Sequence, residues 1–204
     1  ITENGFSRLA SRELQAVALA YKPWHVMLFL RGETRVIPGD QPPIEITHGD
    51  AAASIIGQSA NAGTATLEIP NLMLPGFLTT RRVVLSARTS DMQQVAYAIE
   101  IDKPALTLTD MAPLTLDAIQ SQGTLTQDRI LVIDMATARQ GGLELSATGQ
   151  LALDPQRRPQ GKLTLKTNDG AKLLDVITGT FHLPDQQRTA FAAIGTTVTL
   201  ANPP

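Results

Sequence analysis

The chain contains no cysteine. That excludes disulfides, thiol catalysis and cysteine metal sites, and it suits the cytoplasm and the bacterial periplasm alike. Aromatic residues are scarce, with one Trp and two Tyr, too few for the platforms that accompany paired carboxylates in a glycoside-cleaving cleft. Charged residues make up 18% of the chain, below the roughly 25% of a typical globular protein, so the polar surface rests on Thr, Ser, Gln and Asn. A net charge of -2 supplies neither the basic field that displaces counterions from nucleic acid nor the polybasic patch of an electrostatic membrane binder. No run approaches the ~18 apolar residues of a membrane span. Ile1 in place of Met is the start expected of a trimmed or processed piece, which leaves room for a preceding signal peptide or membrane anchor.

What the chain does have is alternation. Between Gly142 and Thr167, Leu143, Leu145, Ala147, Gly149, Leu151 and Leu153 occupy alternate positions, with Glu144, Ser146, Thr148, Gln150 and Asp154 between them. Past a polar turn at Pro155 to Pro159, Leu163 and Leu165 alternate with Lys162, Thr164 and Lys166. A period of two marks a strand with one dry face and one wet face. Similar runs recur at Glu13 to Tyr21, Trp24 to Arg31, Ile44 to Ile46, Ala51 to Ile56, Ala65 to Ile69, Val83 to Arg88, Val95 to Ile101, Ala105 to Thr109, Leu114 to Thr126 and Ile130 to Ala138. In Trp24 to Arg31 both faces are apolar, which predicts a strand buried on both sides. Turn signals lie at Pro38 to Pro43 and Ser59 to Gly63, and Pro70 to Gly76 reads as a loop or short helical turn displaying Leu72 and Met73.

The pattern changes after Asn168. Leu173, Leu174, Val176 and Ile177 are helically spaced behind an N-cap at Asn168 or Asp169. Pro184 to Ile194 predicts a second short helix, with Pro184 at its first position and Gly195 at its C-cap. Thr196 to Leu200 suits a last strand. The fold expected is mainly β: a long curved antiparallel sheet, open-barrel or taco-like, with two short C-terminal helices. It forms one domain over 1–204, with the sheet in 1–168, a helical segment packing on it in 169–195, and a last strand or tail in 196–204. Gly followed by alternating Leu and Thr or Ser recurs at Gly123, Gly142, Gly149 and Gly161, either because glycine opens or bends strands or as a structural repeat.

Chemistry is harder to find. His25, His48 and His182 are scattered, without metal-ligand spacing, and suit a strand (His25) and turns or loops. Gly57-Gln58-Ser59-Ala60-Asn61 lacks the closing glycine and the strand–turn–helix setting of a nucleophile elbow. Gly161-Lys162 lacks a phosphate-cradling loop, and Arg157-Arg158 reads as a solvated turn. Asp102, Asp110, Asp117, Asp128 and Asp134 fall near strand ends or turns. No catalytic residue, metal site or cofactor is expected. The apolar face remains: if the helices cover it fully it is an ordinary core, and if partly, the remainder is a groove able to bind an apolar ligand.

The segment Gly149-Gln-Leu-Ala-Leu-Asp154, its polar turn, Gly161-Lys-Leu-Thr-Leu165 and the leucine-containing helix at Ala171 to Ile177 resemble a recurrent ending of AsmA-like bacterial envelope proteins. Within that group the chain is most similar to an uncharacterised proteobacterial domain family. The specific likeness covers about the last third. The resemblance implies a periplasmic β-rich body tethered to the inner membrane by an N-terminal anchor. It also implies an apolar groove of the kind that larger relatives use in moving lipids between envelope membranes. No catalytic residues belong to the pattern. At ~3.3 Å per strand residue this chain is long enough for a groove and too short to bridge an envelope. The expected partners are a lipid or other hydrophobic ligand bound by Leu143, Leu145, Leu151, Leu153, Leu163 and Leu165, or an envelope protein docked through a sheet edge or the Leu72-Met73 loop.

Overall fold

The computed structural model describes residues 8–37, 44–59, 62–89, 93–107, 113–128, 130–153 and 159–180. Thirteen strands form one antiparallel sheet. They are β1 (Arg8–Leu19), β2 (Lys22–Ile37), β3 (Ile44–Ile46), β4 (Ala51–Ser59), β5 (Ala62–Leu74), β6 (Leu78–Thr89), β7 (Gln94–Asp102), β8 (Ala105–Leu106), β9 (Leu114–Thr115), β10 (Ala118–Thr126), β11 (Ile130–Gln140), β12 (Leu143–Leu153) and β13 (Pro159–Thr167), followed by the helix α1 (Gly170–Thr180). The main path runs β1-β2-β4-β5-β6-β7-β10-β11-β12-β13, nearly the order of the sequence, while β3 pairs with β2 and the short β8 and β9 extend from β6. The sheet is open, since β1 and β13 end the path without pairing each other.

Register explains why the alternation is so persistent. Residues directly opposite in a ladder share a face. One row across the ten strands of the path reads Ala16, Leu28, Ala53, Leu67, Leu85, Ile99, Ser121, Ala136, Ala147, Leu165. The row one residue earlier on β1 reads Gln15, Phe29, Ala52, Glu68, Val84, Glu100, Gln120, Thr137, Ser146, Lys166. The first is apolar but for Ser121, and the second is mostly polar. A slip of one residue anywhere would carry apolar side chains into water, so the pattern fixes the pairing.

Burial is concentrated at one end of the sheet. Ala51 opens β4, Val83 lies opposite Ile69 and Ile101, Leu143 opens β12, and the fully buried Pro104 links β7 to β8. Pro104 is held as its carbonyl accepts the Leu116 N–H at 2.9 Å. The helix begins at this end. Asp169 is its N-cap, its carboxylate accepting the Lys172 N–H at 3.0 Å. The Asn168 side chain accepts from Glu144 N–H at 2.8 Å and donates to the Gly142 carbonyl at 3.0 Å, tying the entry of α1 to the β11–β12 turn. The Lys172 ammonium also donates to the Gly141 carbonyl. At the opposite, open end β1, β4, β6, β10 and β12 finish and β2, β5, β7, β11 and β13 begin.

Three expectations are revised. The strand of Trp24 to Arg31 is not buried on both sides: Trp24 is 56% exposed and Met27 to Leu30 are half-buried, because among the described residues no second layer lies over this part of the sheet. Pro70 to Leu74 is strand rather than loop. Pro70 sits opposite Arg82, and its carbonyl accepts the Gly49 N–H at 2.7 Å. Asn71 absorbs the irregularity at φ +49°, and Met73 bridges to Thr47. The single strand expected over Leu114 to Thr126 is two, β9 and β10, because the chain leaves β8 there and crosses to β7. Of the two expected helices, the first is α1. The second helix and the last strand, expected in 184–200, lie outside the described residues, as do His182, Asp110 and Arg157-Arg158.

Candidate functional site

The middle of the apolar face holds a cavity of about 480 Å³. Its walls come from β4 (Ala53, Ile55), β5 (Ala65, Leu67), β6 (Leu85, Ala87), β7 (Val95, Tyr97, Ile99), β10 (Ser121, Leu125) and β11 (Leu131, Ile133). On a flat sheet β4 and β11, five strand spacings apart, would stand ~24 Å from each other. Side chains of both line one space, so the sheet curls around it with its apolar face inward. A second space of about 420 Å³ shares Ile55, Ala65, Ala87 and Val95 with the first and adds Gly57, Gly63 and Thr89, continuing the groove toward the open end.

Backbone close to backbone allows this curl. A Cβ at Gly123 would lie 1.9 Å from the Val132 carbonyl oxygen, and one at Gly149 would lie 2.1 Å from that of Lys162. Gly149 has φ +147°, which side chains disfavour. Both lie within strands, opposite Ile133 on the apolar face, where glycine lets a sheet bend sharply.

The polar content of the cavity is small. Tyr97 Oη and Ser121 Oγ hydrogen-bond to each other at 3.3 Å, and among the described residues Tyr97 is the only titratable side chain in the lining. Any ligand placed there would be held through burial. At about 25 cal/mol per Å² of apolar surface removed from water, contact along an alkyl chain is the favourable term such a site supplies.

Titratable groups elsewhere have structural partners. His48 bridges Thr34 Oγ1 at 2.7 Å and the Gly49 carbonyl at 2.6 Å, and His25 meets Ser54 Oγ at 3.0 Å. Asp117 accepts the Gly141 N–H at 2.6 Å. On the polar face Arg82 donates to Glu68 at 2.7 Å and lies 3.9 Å from Asp102. The hydrogen bond to Glu68, then the Glu68 charge, raise the Arg82 pKa. A raised cation pKa adds stability that is present below the ordinary arginine range and is lost only as pH rises through the lifted value, so this pair is insensitive to pH near neutrality. Among the described residues no three His, Asp or Glu side chains cluster as a metal site would require.

The six leucines singled out in the sequence fall on β12 and β13, beside the cavity rather than in its wall. Leu145, Leu151, Leu163 and Leu165 share the apolar face with it by register. Leu143 is 5% exposed in the core end, Leu163 is 41% and Leu165 62% exposed near the sheet edge, and Leu153 lies opposite Pro159. The cavity-lining Leu67, Leu85, Ile99 and Ile133 carry the same alternation. Only their central place in the strand order distinguishes them.

Residues 77–203 match the family described as uncharacterized protein conserved in bacteria, DUF2125. The chain belongs to this family. The DUF2125 match begins beside β6 and takes in four of the six strands that wall the cavity, β6, β7, β10 and β11, while β4 and β5 precede it. No curated protein and no solved structure matches the chain.

Proposed function

We propose that the chain is a non-enzymatic module that shelters an acyl chain or another hydrophobic ligand in the groove of its curled sheet, and that it serves in bacterial envelope lipid handling. The observation that carries this reading is the cavity itself: about 480 Å³, walled by six strands, with no charged side chain among the described residues that line it, on a face that α1 does not line. The volume falls within the ~300–1,000 Å³ of small-molecule sites. The resemblance of the Gly149 to Leu165 pattern to AsmA-like proteins supports a periplasmic location with a tether to the inner membrane. Among the described residues Tyr97 is the one acid–base group lining the cavity, which supports binding over reaction.

Native mass spectrometry on the chain purified from cells, followed by lipid extraction, tests this. A co-purifying lipid is expected, and Ala87→Phe, which fills the cavity with an apolar ring, should lose it while keeping the β-sheet circular dichroism of the parent. An apo mass that takes up no fatty acid on incubation would overturn the reading.

A second reading, assembly through a sheet edge, is favoured by one observation. β13 ends the path with its outer edge unpaired among the described residues, and it presents Leu163 and Leu165 to solvent. Such an edge is a template for strand addition.

A further inference from the structure

We infer that the tip of the β1–β2 hairpin docks at the interface of a lipid bilayer and turns the open end of the groove toward it. The chain has one Trp and two Tyr, and the Trp and one Tyr sit within four residues of each other at this tip. Tyr21 is 72% exposed and Trp24 56%. The Lys22 ammonium stands 5.9 Å from the centre of the Tyr21 ring. In a chain so poor in aromatics, leaving these two rings in water costs apolar burial with no return inside the fold. Amphipathic rings beside a lysine match the membrane–water boundary, where the ring body enters the apolar layer while the indole N–H, phenol and ammonium stay with the headgroups.

The tip is continuous with the groove. Trp24 alternates with Val26 and Leu28, so it lies on the apolar face, and its Cβ would stand 3.7 Å from a Cβ built at Gly57. Trp24 and Gly57 together border a further space of about 600 Å³. Gly57 in turn lines the cavity that runs through Ile55 and Val95 to the main groove. Ile55, Val95 and Leu125, toward the same end, are exposed. The apolar path therefore starts at the aromatic tip and ends in the core end, where Ala51 and Val83 are buried. The second half of the inference, that an acyl chain enters at this end, rests on the proposed function. Docking itself does not.

Trp24 is the only tryptophan, so its fluorescence reports on the tip alone. The chain is mixed with phosphatidylcholine–phosphatidylglycerol vesicles, with and without brominated acyl chains, and co-flotation is measured in parallel. The expected results are a blue shift of Trp24 emission, quenching by the brominated lipid, and flotation with the vesicles. A Tyr21→Ser, Trp24→Ser variant should float at least about tenfold less, because two interfacial aromatics are lost, while Tyr21→Ser alone, at a residue that lines none of these spaces, should float less yet take up free fluorescent fatty acid as the parent does. Ala87→Phe should float normally. Unchanged emission and no flotation would overturn the inference and leave the tip as a protein contact, and so would normal flotation of the double variant. Flotation without fatty-acid uptake by the parent would keep docking and defeat the groove reading instead.

Discussion

A methyl group added at Gly149 would press on the Lys162 carbonyl oxygen from 2.1 Å, at a φ of +147° that only glycine adopts readily. Gly149→Ala is therefore expected to destabilise the chain by roughly 1–3 kcal/mol from conformation alone, read as a lower urea midpoint at an unchanged slope. Alanine at Gly76, equally at positive φ (+72°) but with nothing within 4 Å, should meet strain without collision and serves as the comparison. If the two variants lose the same stability, the close approach of β12 and β13 contributes nothing, and the bending role of Gly149 is wrong. At the same scale His25 and His48 each find a hydroxyl partner within their own part of the sheet.

At the scale of elements, most strands were legible because each keeps one face wet, and a period of two survives even where Thr and Gln replace charges. The misreadings have local causes. Pro70 reads as a breaker, yet it lacks only a donor, and here its carbonyl is the group that bonds. The two-sided apolar pattern of β2 suggests double burial, but a strand is buried by what lies over it, which its own sequence does not encode. The cleanest alternation, in β12 and β13, drew attention to the edge of the sheet, whereas the cavity is central. Pairing order is set by registers among many similar strands, and no single segment carries it. The edge itself makes a prediction. Leu165 is 62% exposed, so Leu165→Lys should change stability by no more than about 0.5 kcal/mol. If strand addition operates, the same change should reduce any self-association seen by sedimentation, because an edge lysine blocks flush pairing.

For the whole molecule, the two ends of the sheet differ in kind. One end is packed by Pro104, Val83 and Leu143 and tied by Asn168 to the start of α1. The other carries the aromatic tip and the uncovered apolar rim. The DUF2125 match takes in one wall of the groove, β6, β7, β10 and β11, while β4 and β5, which complete it, precede the match.

The near-sequential strand order has a kinetic consequence. Most strands pair with the strand just before them in the chain, so loop closures are short and their entropic cost is low. Such a sheet can grow by adding strands one at a time as the polypeptide emerges from a ribosome or a translocation pore, without waiting for its far terminus. It should also come apart in the reverse sense, fraying from β1 and β13 while β5, β6 and β7 still hold. Native-state hydrogen exchange reads this directly: protection should climb from both edges to the middle strands. Uniform protection across all ten strands of the path would mean that the sheet opens as one cooperative unit instead of unzipping.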